Sequence, residues 1–226
     1  MNLKLQILRR ESPDASPHWE SYEYQAQNEN ASVASVLHDL NQKLDDPVRW
    51  ECSCMQKKCG ACAMVINHRP RLACDARLKE FNGEIKIEPL RKFPVIADLI
   101  VDRSILFENL KIMRIWFAEE AKTYGSEIAY QASRCLQCGC CLEICPNFYA
   151  GGTFFGMASM TLTARILTAV PEKQKQEICK AYRDHIYEGC GKSLACREIC
   201  PAGIEIEHLL VNSNAVAIWK RKKHEI

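Results

Sequence analysis

Fourteen of the 226 residues are cysteine, and eleven of these fall into three groups of regular spacing. Thiols at that density are either paired as disulfides or gathered around metal. Residues 1–10 alternate polar and apolar side chains with no signal-peptide core, so no export is indicated and the thiols are expected to be reduced. Clustered reduced cysteines hold metal more often than they fill a core.

Cys54, Cys59, Cys62 and Cys74 follow C-x4-C-x2-C-x11-C. The first three cysteines have the spacing of plant-type ferredoxins, which hold a 2Fe-2S cluster with a fourth cysteine from further along. A negatively charged cluster needs amide donors around its sulfurs, and Gly60 and Ala61 are small enough to let the backbone approach. Lys57 and Lys58 are expected to add positive charge there. The competing reading is a four-cysteine zinc site, for which this spacing is less typical. Cys52 breaks the pattern and is read as a bystander.

Cys135, Cys138, Cys141 and Cys145, followed by Pro146, give C-x2-C-x2-C-x3-C-P, the bacterial ferredoxin run. The proline suits the first turn of a helix, where its missing N–H costs nothing. Cys190, Ser193, Cys196, Cys200 and Pro201 repeat the template with serine at the second position. In two-cluster ferredoxins the fourth cysteine of each run ligates the other cluster. Cys200 then joins Cys135, Cys138 and Cys141 around a 4Fe-4S centre, which leaves Cys145, Cys190 and Cys196 as three thiolates. Three thiolates suit a 3Fe-4S cluster; the alternative is Ser193 ligating a fourth iron as an alkoxide. Cys140 and Cys179 lie outside the templates and read as small buried residues.

Two kinds of patterning surround these groups. Leu3, Leu5 and Ile7 alternate with polar neighbours as a strand, residues 11–17 form a turn, and 19–25 return as a hairpin partner. Ser32 or Asn30 caps a helix with Val33, Val36, Leu37, Leu40 and Leu44 on one face, ahead of Pro47. Residues 63–67 and 84–88 read as further strands, giving a small sheet wrapped on one helix. Beyond Pro94, residues 95–101, 104–124, 157–170, 173–188 and 205–221 have helical length and spacing. A boundary between Pro89 and Pro94 gives domains 1–93 and 94–226.

A net charge of +2 argues against nucleic acid as the main partner, and the short basic cluster Lys220, Arg221, Lys222 and Lys223 reads as a solvated helix end. The apolar stretches 160–170 and 209–219 are too short or interrupted to span a bilayer, so membrane contact is expected only through a partner. Six scattered histidines (18, 38, 68, 185, 208 and 224) form no array with an acid and a nucleophile, and no phosphate-cradling glycine loop or flavin fingerprint is present. Substrate chemistry is therefore expected on another subunit.

Cys59-Gly60-Ala61-Cys62-Ala63-Met64, Leu72-Ala73-Cys74, Phe93-Pro94-Val95-Ile96-Ala97-Asp98-Leu99 and Cys138-Gly139-Cys140-Cys141-Leu142-Glu143-Ile144-Cys145-Pro146-Asn147 give the chain its likeness to a known family. Over nearly its whole length it resembles the iron–sulfur subunit of succinate dehydrogenase and fumarate reductase, and the last stretch looks closest to the menaquinone-linked forms of Gram-positive bacteria. The resemblance implies an α+β chain with an N-terminal β-grasp, plant-type ferredoxin-like domain and a bacterial-ferredoxin-like, alpha-helical ferredoxin domain. It implies electron transfer within an oxidoreductase complex, between the FAD of a flavoprotein subunit and a quinone beside a cytochrome-b-type membrane anchor. The implied location is peripheral, on the cytoplasmic face of the inner or cell membrane.

Ubiquinone-linked members carry a tryptophan pair after the proline run and a histidine after the first cysteine of the last group. Here Phe148-Tyr149-Ala150 and Gly191 stand at those places, which argues against ubiquinone and leaves the quinone pocket unassigned. Pro146 and Tyr149 are the candidate quinone contacts, with core or helix-start roles as their alternative. A soluble reductase drawing electrons from thiols or another non-quinone donor is the competing function.

Overall fold

In a computed structural model, residues 1–116, 126–167 and 169–219 of the chain are described. The chain divides into two compact units, Met1–Asp102 and Arg103–Ile226.

The first unit is a mixed five-stranded sheet with strand order β2-β1-β5-β3-β4. β1 (Asn2–Arg9) and β2 (His18–Gln25) form the expected hairpin, in the register Leu5 opposite Tyr22. β5 (Glu84–Glu88) runs parallel to β1, placing Ile85 and Ile87 beside Leu5 and Ile7. β3 (Ala63–Ile66) pairs antiparallel with β5 and with β4 (Arg69–Leu72). β4 carries Pro70 and lies at the sheet edge, where a residue without an N–H removes no ladder bond.

α1 (Val33–Asn41) buries Val33, Ala34, Val36, Leu37 and Leu40 on one face, as its periodicity requires. Ser32 is its N-cap, accepting from the Ser35 amide at 3.1 Å. The helix stops before Leu44. Asn41 turns its side chain onto the main chain of Val48, donating to the carbonyl at 2.8 Å and accepting from the amide at 2.9 Å.

Residues 95–101, expected as a helix, form the two-stranded hairpin β6 (Val95–Ala97) and β7 (Ile100–Val101) within the first unit. Pro94 disfavours helix in what precedes it, the β-branched residues favour extended backbone, and Asp98 turns the chain at φ 44°. The chain thus divides after Asp102 rather than in the basic link at 91–94.

The second unit is helical. Its elements are α2 (Ser104–Ile112), α3 (Glu127–Ser133), α4 (Cys140–Glu143), α5 (Gly156–Ile166), α6 (Glu172–Tyr182), α7 (Ala195–Ile199) and α8 (Ile206–Ala217). α5 is buried on nearly every side and packs against α3 and α8. Its two threonine hydroxyls are satisfied within the helix: Thr161 donates to the Met157 carbonyl at 2.8 Å and Thr163 to that of Ser159 at 2.9 Å. The expected helix 173–188 is α6 continued by a π-helical turn, Arg183–Tyr187. The later parts of 104–124 and 205–221, and the basic cluster 220–223, lie outside the described residues. Among the described residues no helix is long and apolar enough to cross a membrane.

Candidate iron–sulfur centres

All fourteen cysteines are free thiols, and the eleven that the spacing singles out converge in three places. Cys54, Cys59 and Cys62 lie on the loop leading into β3, and Cys74 follows β4. Met55, Lys57 and Gly60 adopt left-handed backbone (φ 55°, 58° and 76°), which curls the loop and turns its amides inward. The Gln56 and Lys58 amides donate to Cys54 Sγ at 3.4 and 3.3 Å, and the Lys57 amide to Cys74 Sγ at 3.3 Å. The amides of Gln56 and Lys58 bring the Cys54 thiol down to about 7, whereas burial pushes Cys62, hydrogen-bonded to Cys74, up to about 12.

Lys57, beside the cysteine loop, forms an ion pair with Asp75 at 2.8 Å. Cys52, outside the spacing, places its thiol 3.1 Å from Met55 Sδ. Burial pushes that thiol up.

In the second unit, Cys135, Cys138, Cys141 and Cys200 line one cavity. Leu136, Ala158, Ile204 and Ile206 supply apolar walls, and Cys145 is not among the lining residues. Cys138 precedes Gly139, whose left-handed φ of 88° starts α4 with Cys140 and Cys141 in its first turn. The Cys140 thiol is fully buried, as expected, but it also donates to Cys138, bringing that thiol down to about 7. Burial pushes Cys135 up to about 11 and Cys141 well above the usual thiol range, with Cys200 among the charges felt by both.

The third set gathers from both runs. Cys190 follows the π-helical turn and Cys196 lies in α7, where burial first, then the charges of Cys145 and Cys190, push its thiol up to about 11. Asn147 ties the runs together by donating to the Gly189 carbonyl at 2.7 Å. Lys192 and Leu194 are left-handed (φ 56° each), at the same offsets from Cys190 as Gln137 (φ 51°) and Gly139 from Cys135. The sequence repeat is therefore also a repeat of backbone conformation. Ser193 is exposed, and so are Pro146 and Tyr149, the latter with its ring against Gly152. Pro146 stands in a turn rather than at a helix start, because the Phe148 amide bonds back to the Cys145 carbonyl at 3.4 Å.

Among the described residues no three Cys, His, Asp or Glu side chains close on a point as a single metal ion requires. Cys135, Cys138, Cys141 and Cys200 instead surround a space with apolar walls, which fits a multi-iron centre better than zinc. Sequence reasoning missed Gln137, whose side-chain amide donates to Cys135 Sγ at 3.1 Å. Its signal was a polar residue between two ligand positions, indistinguishable in sequence from a solvated one.

A family profile described as a 2Fe-2S iron-sulfur cluster binding domain matches residues 4–108, and one described as a 4Fe-4S dicluster domain matches 131–204. The succinate dehydrogenase iron-sulfur subunit of Bacillus subtilis is 34% identical over 88% of this chain and 86% of its own length. The fumarate reductase iron-sulfur subunit of Haemophilus influenzae is 28% identical over 90% and 88%. A chain of the Mycobacterium smegmatis Sdh1 complex shares the fold, with a TM-score of 0.82 at 21% identity, covering 100% of this chain and 99% of that one. The chain belongs to the iron–sulfur subunits of succinate dehydrogenase and fumarate reductase, as an electron-transfer component of an oxidoreductase complex.

Proposed function

We propose that this chain carries single electrons between the FAD of a flavoprotein subunit and menaquinone, with Cys54, Cys59, Cys62 and Cys74 holding a 2Fe-2S centre, Cys135, Cys138, Cys141 and Cys200 a 4Fe-4S centre, and Cys145, Cys190 and Cys196 a 3Fe-4S centre. In this reading the first unit is the plant-type, β-grasp ferredoxin domain and the second the alpha-helical ferredoxin domain. The observation that carries it is the cavity in which Cys200 joins Cys135, Cys138 and Cys141 while Cys145 stands apart with Cys190 and Cys196. That grouping is the one the crossover rule of two-cluster ferredoxins requires.

Iron–sulfur centres supply one-electron carriers, and the protein's part is to set their ligands, donors and solvent access. The amides of Gln56, Lys57 and Lys58 stabilise sulfur-borne negative charge at the first set. The apolar walls around the second set exclude water from it. Ser193 is exposed, which favours three ligands at the third set over an alkoxide-ligated fourth iron. Pro146 and Tyr149, exposed beside Cys145 in the chain, are the proposed quinone contacts. A cytochrome-b-type anchor holds the subunit at the cytoplasmic face of the membrane.

The test is anaerobic purification with the natural partners attached, followed by low-temperature EPR as isolated and after dithionite. A near-isotropic signal in the oxidised sample, joined by a separate 2Fe-2S signal on reduction, supports the assignment. A silent oxidised sample with two interacting 4Fe-4S spins on reduction overturns the third centre. Fumarate reduction by a menaquinol analogue, rather than by thiols, checks the donor.

A further inference from the structure

We propose that Gln137 raises the reduction potential of the centre held by Cys135, Cys138, Cys141 and Cys200 by donating a hydrogen bond from its side-chain amide to the Cys135 sulfur. The inference rests on the 4Fe-4S reading of that cysteine set.

Gln137 Nε2 lies 3.1 Å from Cys135 Sγ and 3.3 Å from the Ala158 carbonyl oxygen. Both neighbours accept when Cys135 is a ligating thiolate. Exchanging the amide's oxygen and nitrogen would set Oε1 against two acceptors, so the N–H orientation toward sulfur is dictated by the surroundings. Ala158 belongs to the buried helix α5 and, like Gln137, lines the cavity. The donor is thus held against a buried helix.

Two unfavourable features meet in this residue. Its backbone is left-handed at φ 51°, which glycine adopts more readily, and its Oε1 is buried without a hydrogen-bond partner. Strain of this kind persists where the local geometry serves a function. The repeat supplies a contrast: Lys192, at the same offset from Cys190, is exposed, with its ammonium 6.0 Å from the Tyr187 ring centre. The amide donor therefore distinguishes one centre from the other.

One-electron reduction adds negative charge that the ligand sulfurs share. An N–H aimed at such a sulfur bonds more strongly to the reduced form and so favours it. No bond is made or broken by Gln137, and the electron comes from the neighbouring centre of the same relay.

The experiment is EPR-monitored potentiometry on the complex assembled with its flavoprotein, comparing the wild type with Gln137→Met and Gln137→Gly. The Met variant keeps the side chain's length without the donor, and the Gly variant removes the donor while relieving the left-handed strain. Both are expected to lower the potential of this centre, so that at the wild-type midpoint the reduced-to-oxidised ratio falls about tenfold, equivalent to about 59 mV for one electron. The other two centres are expected to keep their potentials.

An unchanged potential in either variant with an intact 4Fe-4S spin count overturns the proposal. A wild-type complex with no 4Fe-4S signal is a different failure, since it removes the cluster reading itself. If neither variant assembles the centre, the wild type decides the matter. In protein grown with side-chain ¹⁵N-labelled glutamine, pulsed EPR is expected to detect a ¹⁵N coupling to the reduced centre, and its absence overturns the hydrogen bond.

Discussion

Asp98 has 1% of its surface exposed, and four donors converge on its carboxylate. The amides of Arg10 and Arg49 each donate at 2.8 Å, while Arg9 Nε lies at 3.1 Å and Arg49 Nη1 at 3.4 Å. Burial alone would push this carboxyl up; the two amides and the Arg9 guanidinium outweigh it and hold it below the usual carboxylate range. A folded-state value below the unfolded one stabilises the fold above the unfolded value, about pH 4, and that contribution is lost as pH falls through the depressed folded value. Asp98→Asn keeps the shape and tolerates the left-handed backbone but leaves the Arg9 charge without its buried partner. The expected cost is about 3 kcal/mol at neutral pH, with a flatter acid limb in the unfolding midpoint followed by circular dichroism. Equal stability of variant and parent at pH 7 would show that the clamp contributes nothing.

Single elements respond through their ends. Ser32→Ala removes the acceptor for the Ser35 amide and is expected to destabilise the first unit by about 1 kcal/mol, read as a lower denaturant midpoint with an unchanged slope. Lys192→Gly acts in the opposite sense. Lys192 is left-handed at φ 56° in the segment leading into α7, and it is exposed, so little burial is lost. Relief of that backbone is expected to stabilise the second unit by about 1 kcal/mol, seen as slower thermal bleaching of the visible absorbance. These ends also mark how far the sequence could be read. β1, β5 and α1 were legible because one face of each is buried, and burial imposes a period. α4 and α7 were not, because turns of four and five residues carry no period; their positions follow from glycine-like backbone and the thiols they present. The 95–101 hairpin was misread because its strands of three and two residues are fixed by the Asp98 clamp, a contact to residues distant in sequence.

At the scale of the whole second unit, the proposed assignment has the two cysteine runs exchange their last members, and this exchange would decide which thiol serves which centre. Chain proximity would group Cys145 with Cys135, Cys138 and Cys141, four residues after the last of them. The cavity instead takes Cys200, together with Pro201, Ala202, Ile204 and Ile206 from the segment leading into α8. Spacing made the cysteines of this cavity legible, since the run and its trailing proline imply that Cys200 joins Cys135, Cys138 and Cys141, and these four line it together; the donors around them were not, because Gln137 and Cys140 act through contacts that only the folded backbone brings about. The two groupings predict opposite outcomes for a pair of variants. With crossover, Cys200→Ala removes a ligand of the 4Fe-4S centre, so the corresponding signal in the dithionite-reduced complex is expected to be lost or converted, while the oxidised 3Fe-4S signal persists. Cys145→Ala is expected to abolish the oxidised signal and leave the 4Fe-4S signal in place. Local grouping reverses both results, and iron and sulfide content measured on the same samples separates the loss of one centre from failure of the unit to assemble. If each run supplies ligands to both centres, as proposed, neither can be filled until residues 135–145 and 190–200 have come together, so either variant is also expected to lower the yield of complex carrying the other centre.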